Sequence, residues 1–168
     1  MKYSNIKNFS VLQDTCRGLL LTGVVVFTDL FIKYVVLENF IFEESKTIGL
    51  HFNIQLVFNH RALFGILPEN PEWGRLYVML LGAFFISGFY LWWCSLSRTH
   101  RLEKIGIILA LGGVLGNMID LVYRGYVVDF IALSGENWQL PIFNVADMGI
   151  CIGALFIVIS LLQNNNKS

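Results

Sequence analysis

Apolar residues gather into four long runs separated by polar, turn-rich intervals, and each run is close to the roughly 20 residues that a helix needs to cross about 30 Å of hydrocarbon. The pattern predicts membrane-spanning helices at about 18–37, 76–97, 105–123 and 146–163. Between the first two, LHFNIQLVFNH alternates apolar and polar positions in part and is rich in β-branched and aromatic residues, which predicts a strand or hairpin. LPENPEWGR carries two prolines and a glycine and predicts a turn, with Trp73 and the following Tyr77 suited to the headgroup zone. These elements add up to an all-α membrane protein. It has four transmembrane helices, a small β-sheet element and a short amphipathic segment on the outer side, in one domain over 1–168. No internal repeat interrupts the plan, and the polar tail NNNKS is expected to fray.

Composition sharpens this picture. Of 168 residues, 55% are hydrophobic and 14% charged, where a soluble domain carries about 25% charged residues. The formal net charge is zero and no dense Lys/Arg cluster is present, which excludes a nucleic-acid partner. Cys16, Cys94 and Cys151 lie far apart with none of the spacings of a zinc site or redox motif, and read as small apolar fillers.

The basic residues orient the spans. Lys2, Lys7 and Arg17 precede the first, Arg98, Arg101 and Lys104 separate the second from the third, and Lys167 follows the fourth. The positive-inside rule then places both termini in the cytoplasm and the intervals 38–75 and 124–145 outside. The basic start followed by an apolar run has the look of a cleaved signal peptide, but the run contains Asp29 and Lys33 and lacks a small-residue cleavage pattern. It reads as a retained first helix.

Candidate chemistry lies at the outer boundary. Asp129 in YVVDFI and Asp147 in FNVADMGI stand at the ends of apolar segments, where an unpaired carboxylate is costly and therefore functional by default. Two such groups side by side share one proton, because ionising the second beside the first is unfavourable. The pair would supply an acid and a base together, the equipment for activating water against an amide carbonyl. A solvated loop carboxylate is the bland alternative for Asp129, and its neighbours Val127, Val128, Phe130 and Ile131 argue against it. No metal or other cofactor is expected. His51, His60 and His100 form no HExxH pattern, which excludes a zinc metallopeptidase of that type, and no GxSxG element supports a serine peptidase.

Other polar residues fall at helical spacing around this pair. Asp29 and Lys33, four apart, share a face and neutralise each other within the apolar layer, with a structural ion pair and a direct catalytic role both open. Asn117 and Asp120 share a face on the third span, where Gly112, Gly113 and Gly116 thin the surface for a close neighbour; for Asp120 scaffolding is favoured over chemistry. Asn144 precedes Asp147 by three, the spacing of an N-cap, and the positive end of the helix it caps would favour the ionised form of Asp147. A small proton-coupled transporter subunit is a second reading, with Asp29, Asp120, Asp129 and Asp147 as a relay. It needs acids spread through the membrane depth, whereas a peptidase needs two converging at one level.

GGVLGNMIDLVYRGYVVDFI followed by FNVADMGICIG resembles the paired signature of the lipoprotein signal peptidases, the signal peptidase II family, and TDLFIK and NHRALFG fall where that family has its other motifs. The resemblance implies a membrane-embedded aspartic endopeptidase that removes the signal peptide from diacylglyceryl-modified prolipoproteins, cutting before the lipidated cysteine. It implies catalytic roles for Asp129 and Asp147, and supporting or substrate-contacting roles for Asp29, Lys33, Asn59, Asn117, Asp120, Asn144 and Ala146. The implied partners are the lipid-modified prolipoprotein and membrane lipids. The chain is expected to be a monomer in the bacterial inner membrane, with its site near the outer face. Two departures stand out. Leu121 occupies the position where the family carries arginine after its GNxID aspartate, with Arg124 one turn further on, and Arg61 occupies a position of the NxGxAFG motif that is otherwise glycine. They keep open a non-catalytic relative that binds lipopeptides.

Overall fold

The computed structural model describes residues 2–60, 71–97 and 99–165. Four long helices carry the chain: α1 (Lys2–Asn39), α2 (Pro71–Ser95), α3 (Arg101–Arg124) and α4 (Val145–Asn165). Each contains a stretch long and apolar enough to cross a membrane, at Gln13–Asn39, Leu76–Ser95, Arg101–Arg124 and Val145–Asn165. The helices overrun the expected spans for local reasons. Residues 2–17 are too polar to read as a span, yet contain neither Gly nor Pro, so nothing stops α1 from continuing to about 57 Å at 1.5 Å per residue. PEWGR, expected to be part of a turn, is instead the first turn of α2, because Pro71 fits the opening helical position, where its missing N–H is no loss. Arg61, Glu69, Arg98, Lys167 and the NHRALFG motif beyond His60 lie outside the described residues.

An antiparallel sheet joins the helices at one end. Its strands β1 (Ser45–Thr47), β2 (Phe52–Asn59), β3 (Val127–Gly135) and β4 (Trp138–Gln139) lie in the order β1-β2-β3-β4. Strand β2 is the one the alternation in LHFNIQLVFNH predicts. Strand β3 lacks that alternation because both its faces are covered: Val127, Val128, Asp129 and Phe130 are all buried. It follows α3 directly, since Gly125 ends the helix in the left-handed conformation at φ 82°, its N–H closing on the Leu121 carbonyl at 3.0 Å. The register pairs Asn59 with Val127 and Val57 with Asp129, which makes Asn59 and Asp129 diagonal neighbours on one face.

The apolar core sits where the sheet meets the helix ends. Val36, Leu56, Val128 and Phe130 form one buried cluster, and Val78, Leu121 and Val127 another. Leu121 therefore faces apolar neighbours from α2 and β3, where an arginine would need a partner. Away from the sheet, an ion pair between Lys104 and Asp14 and a bond from Ser160 Oγ to Glu103 Oε2 at 3.3 Å tie α3 to α1 and α4.

Helix α3 is central: half of its apolar window is buried, against 28% or less for the other three. It approaches α4 closely. A Cβ at Gly106 would stand 2.6 Å from the Gly153 carbonyl oxygen, and one at Gly153 would stand 2.5 Å from that of Gly106. With no hydrophobic drive between helices in lipid, this close packing holds the pair together. Gly153→Val should lower stability by about 1–3 kcal/mol by forcing the two backbones apart, seen as a drop of several degrees in thermal unfolding in detergent. Gly23→Ala, where the added methyl meets open space, should leave the midpoint unchanged or raise it; equal losses in both would refute the close-packing account.

Candidate active site

The sheet end of the bundle collects the polar residues singled out in the sequence into one hydrogen-bonded network. Lys33 on α1, fully buried, donates to Asn117 Oδ1 at 2.9 Å and forms ion pairs with Asp29 Oδ2 at 2.7 Å and Asp120 Oδ2 at 2.9 Å. The expected Asp29–Lys33 pair is thus present. It is one edge of a cross-helix cluster, in which Asp29 and Asp120 are also wholly buried.

Each carboxylate has a second partner. Asp29 Oδ1 accepts the Ala146 backbone N–H at 2.8 Å, binding α1 to the first turn of α4. Asp120 accepts the Val128 backbone N–H at 3.2 Å and pairs with Arg124 through its other oxygen. Because α3 continues through Arg124, the guanidinium one turn on reaches the aspartate that an arginine at position 121 would adjoin in sequence.

Asp129 and Asp147 meet at the same network. Asp129, 3% exposed, lies on β3 rather than in a loop. Its Oδ2 accepts from Asn59 Nδ2 at 2.8 Å and its Oδ1 from Asn144 Nδ2 at 2.6 Å. Asp147 Oδ1 accepts from Asn117 Nδ2 at 2.8 Å, and Oδ2 from the Asn144 backbone N–H at 3.1 Å. Asn144 is the cap its spacing predicts: its Oδ1 accepts the Asp147 backbone N–H at 2.9 Å, while Asp147 reaches back to the Asn144 N–H. One asparagine therefore holds both carboxylates, and each of the four carboxylate oxygens receives one N–H.

The two environments differ. Burial pushes the Asp129 carboxyl up to about 6, with the Asp147 charge adding to the rise, while the amide donors of Asn59 and Asn144 and the more distant Lys33 oppose it. Asp147 is less deeply buried, at the start of α4. A carboxyl with a raised pKa beside one more open to water is an arrangement that suits acid–base chemistry. Among the described residues, no three His, Cys, Asp or Glu side chains converge as a metal site would need.

All ten residues predicted for the site are accounted for. Asp29, Lys33, Asn59, Asn117, Asp120, Arg124, Asn144, Asp129 and Asp147 join the network through side chains, and Ala146 through its backbone. The Val128 amide was not foreseen. No side-chain pattern signals a backbone donor, and the strand that aims it has no alternation. Also missed was the aromatic stack beside Asn59, in which Phe42 meets Phe58 at 5.0 Å between ring centroids, Phe58 meets Tyr126 at 4.4 Å and Tyr126 meets His60 at 5.5 Å.

Comparison with known proteins shows what the chain is similar to. The family profile described as signal peptidase (SPase) II matches residues 21–163. A lipoprotein signal peptidase of Histophilus somni (strain 2336) is 38% identical over 149 residues, covering 88% of this chain and 89% of that protein. One from Haemophilus influenzae (strain Rd) is 33% identical over 148 residues, covering 88% and 86%. A bacterial membrane enzyme solved by the in meso method at 2.3 Å resolution superposes with a TM-score of 0.79 at 28% identity, covering 90% of this chain and 91% of its own.

The raised carboxyl has a consequence for stability. The folded chain holds the Asp129 proton up to about pH 6, whereas the unfolded chain releases it near 3.8, so folding takes up a proton in between and stability falls as pH rises from 4 to 6. Relative to Asp129→Asn, the wild type should lose about 2–3 kcal/mol across that window and no more above it. Parallel stability curves for the two proteins in detergent would show that Asp129 titrates as an ordinary carboxyl.

Proposed function

We infer the chemistry of this site from its family: the chain belongs to the signal peptidase II family. The protein is a lipoprotein signal peptidase, an aspartic endopeptidase of the membrane. Its substrate is a prolipoprotein whose cysteine carries diacylglyceryl, and the bond cut is the one just before that cysteine. The observation that carries the assignment of roles is the pair Asp129 and Asp147, held on one Asn144 with every carboxylate oxygen supplied with a donor.

In this mechanism Asp129 carries the shared proton and Asp147 is the base. The scissile peptide enters extended at the sheet end while the acyl chains stay in the lipid. Asp147 takes a proton from water as the water oxygen bonds to the carbonyl carbon, and Asp129 gives its proton to the carbonyl oxygen. When the tetrahedral intermediate collapses, the C–N bond breaks, the leaving amine takes the proton from Asp147, and Asp129 recovers one from the new carboxyl. The roles are then reset. The asparagines donate without titrating, so they hold the carboxylates in place and leave the proton to move between the acids and the substrate.

Basic residues flanking the spans support an orientation with both termini in the cytoplasm and the sheet end outside, in the bacterial inner membrane. The enzyme acts as a monomer with no cofactor. The transporter reading is not favoured, because Asp29, Asp120, Asp129 and Asp147 gather at one level instead of spreading through the membrane.

Asp129→Asn and Asp147→Asn should each remain folded and lose about 100- to 10,000-fold in release of signal peptide from a diacylglyceryl-cysteine substrate in liposomes; wild-type rates in either would end the dyad assignment. Arg124→Ala leaves Asp120 with Lys33 as its only cation in the network and should slow cleavage about tenfold. An unaltered rate would show that the guanidinium is dispensable.

A further inference from the structure

Catalysis by the dyad needs N–H groups, not carbonyl oxygens, turned toward the aspartates, and an asparagine side chain presents either end equally well unless something fixes it. Asn144 is fixed by the Asp147 backbone N–H, which demands the oxygen. Among the described residues Asn117 has no backbone partner of this kind. Its Oδ1 accepts from Lys33 Nζ at 2.9 Å and from Asn144 Nδ2 at 3.1 Å, and this leaves Nδ2 to donate to Asp147 Oδ1 at 2.8 Å. Turned over, Asn117 would set its NH₂ against an ammonium and a second NH₂, and its carbonyl against a carboxylate.

We propose that Lys33 is a positioning residue for catalysis: its buried ammonium sets the polarity of the Asn117 amide, so that Asp147 receives a donor and the base is held for attack. This rests on the dyad assignment and deepens it. Lys33 has no acceptor capacity, and its ammonium is held among Asp29, Asp120 and Asn117 rather than against Asp129 or Asp147. It acts two hydrogen bonds away, through an amide that has only two orientations. The remaining charged groups of the network are Asp29 on α1, and Asp120 and Arg124 on α3. His60, at the end of β2, stacks on Tyr126.

The test removes the ammonium without stranding a charge. Lys33→Met combined with Asp29→Asn deletes one cation and one anion, and the amide introduced by the second substitution retains an oxygen for the Ala146 N–H. The expected result is a tenfold or greater fall in kcat in the diacylglyceryl-cysteine assay, with the alkaline limb of the pH profile displaced upward by about 0.5 unit, because a carbonyl facing the pair makes it hold its proton longer. Asp29→Asn alone, which retains the ammonium, does not move that limb upward. Should the double variant be too slow to assay, the infrared band of the protonated carboxyl, assigned by its absence from Asp129→Asn, should persist to higher pH than in the wild type. Should it fail to fold, Asn117→Leu serves instead. The neutral side chain it introduces cannot donate to Asp147 and adds no charge beside the pair, and it should move the limb the same way. A limb and band left in their wild-type places overturn the proposal and leave Lys33 a mere counter-ion. Activity surviving in Asp129→Asn or Asp147→Asn in the same assay would instead remove the dyad itself, so the two failures are told apart.

Discussion

Four carboxylates converge where the helices meet the sheet, and the cations in contact with them among the described residues are Lys33 and Arg124. That imbalance governs the rest of the structure. The two cations are committed to Asp29 and Asp120. Asp129 and Asp147 receive amide donors alone, which orient a carboxylate but do not cancel its charge. Holding two uncompensated charges side by side away from bulk water is costly, and retaining one proton relieves it. For the proposed dyad, the protonation state then follows from burial and from where the cations are not.

The scaffold serves this distribution. Close passage of α3 past α4 at Gly106 and Gly153 brings Asn117 and Asp120 level with the start of α4, while the end of α3 at Gly125 turns the chain straight into the strand bearing Asp129. Asp120 seals the corner by accepting the Val128 N–H, so the helix that carries Asp120 also positions the strand that carries Asp129. The Leu121–Arg124 arrangement fits the same plan. Position 121 turns toward the apolar contact of Val78 and Val127, and position 124 turns back to Asp120.

Much of this was legible before any coordinates, because it depends on short spacings. The i,i+4 pair Asp29–Lys33, the i,i+3 cap Asn144–Asp147 and the four apolar runs are each encoded within a few residues or a single helix. Contacts between elements were legible only by resemblance. Nothing in the sequence around Asn59 points to Asp129, 70 positions away, or around Lys33 to Asp120. Strand β3 hid for another reason: a strand covered on both faces reads as a plain apolar run, the same signal that a buried helix gives. The helical residues 2–17 hid because polarity marks the edge of a membrane span, not the end of a helix.

Cleavage by this route requires Asp129 and Asp147 jointly to grip the oxygen that attacks the scissile carbonyl. A crystal structure bound to a lipopeptide whose scissile amide is replaced by a hydroxyl-bearing isostere reports on that grip without relying on rates, since the hydroxyl takes the place of the attacking water. The hydroxyl should lie within hydrogen-bonding distance of a carboxylate oxygen of Asp129 and of Asp147 at once, with Asn144 still bonded to both residues. A hydroxyl that contacts neither aspartate, with the isostere seated elsewhere in the fold, would contradict the shared grip.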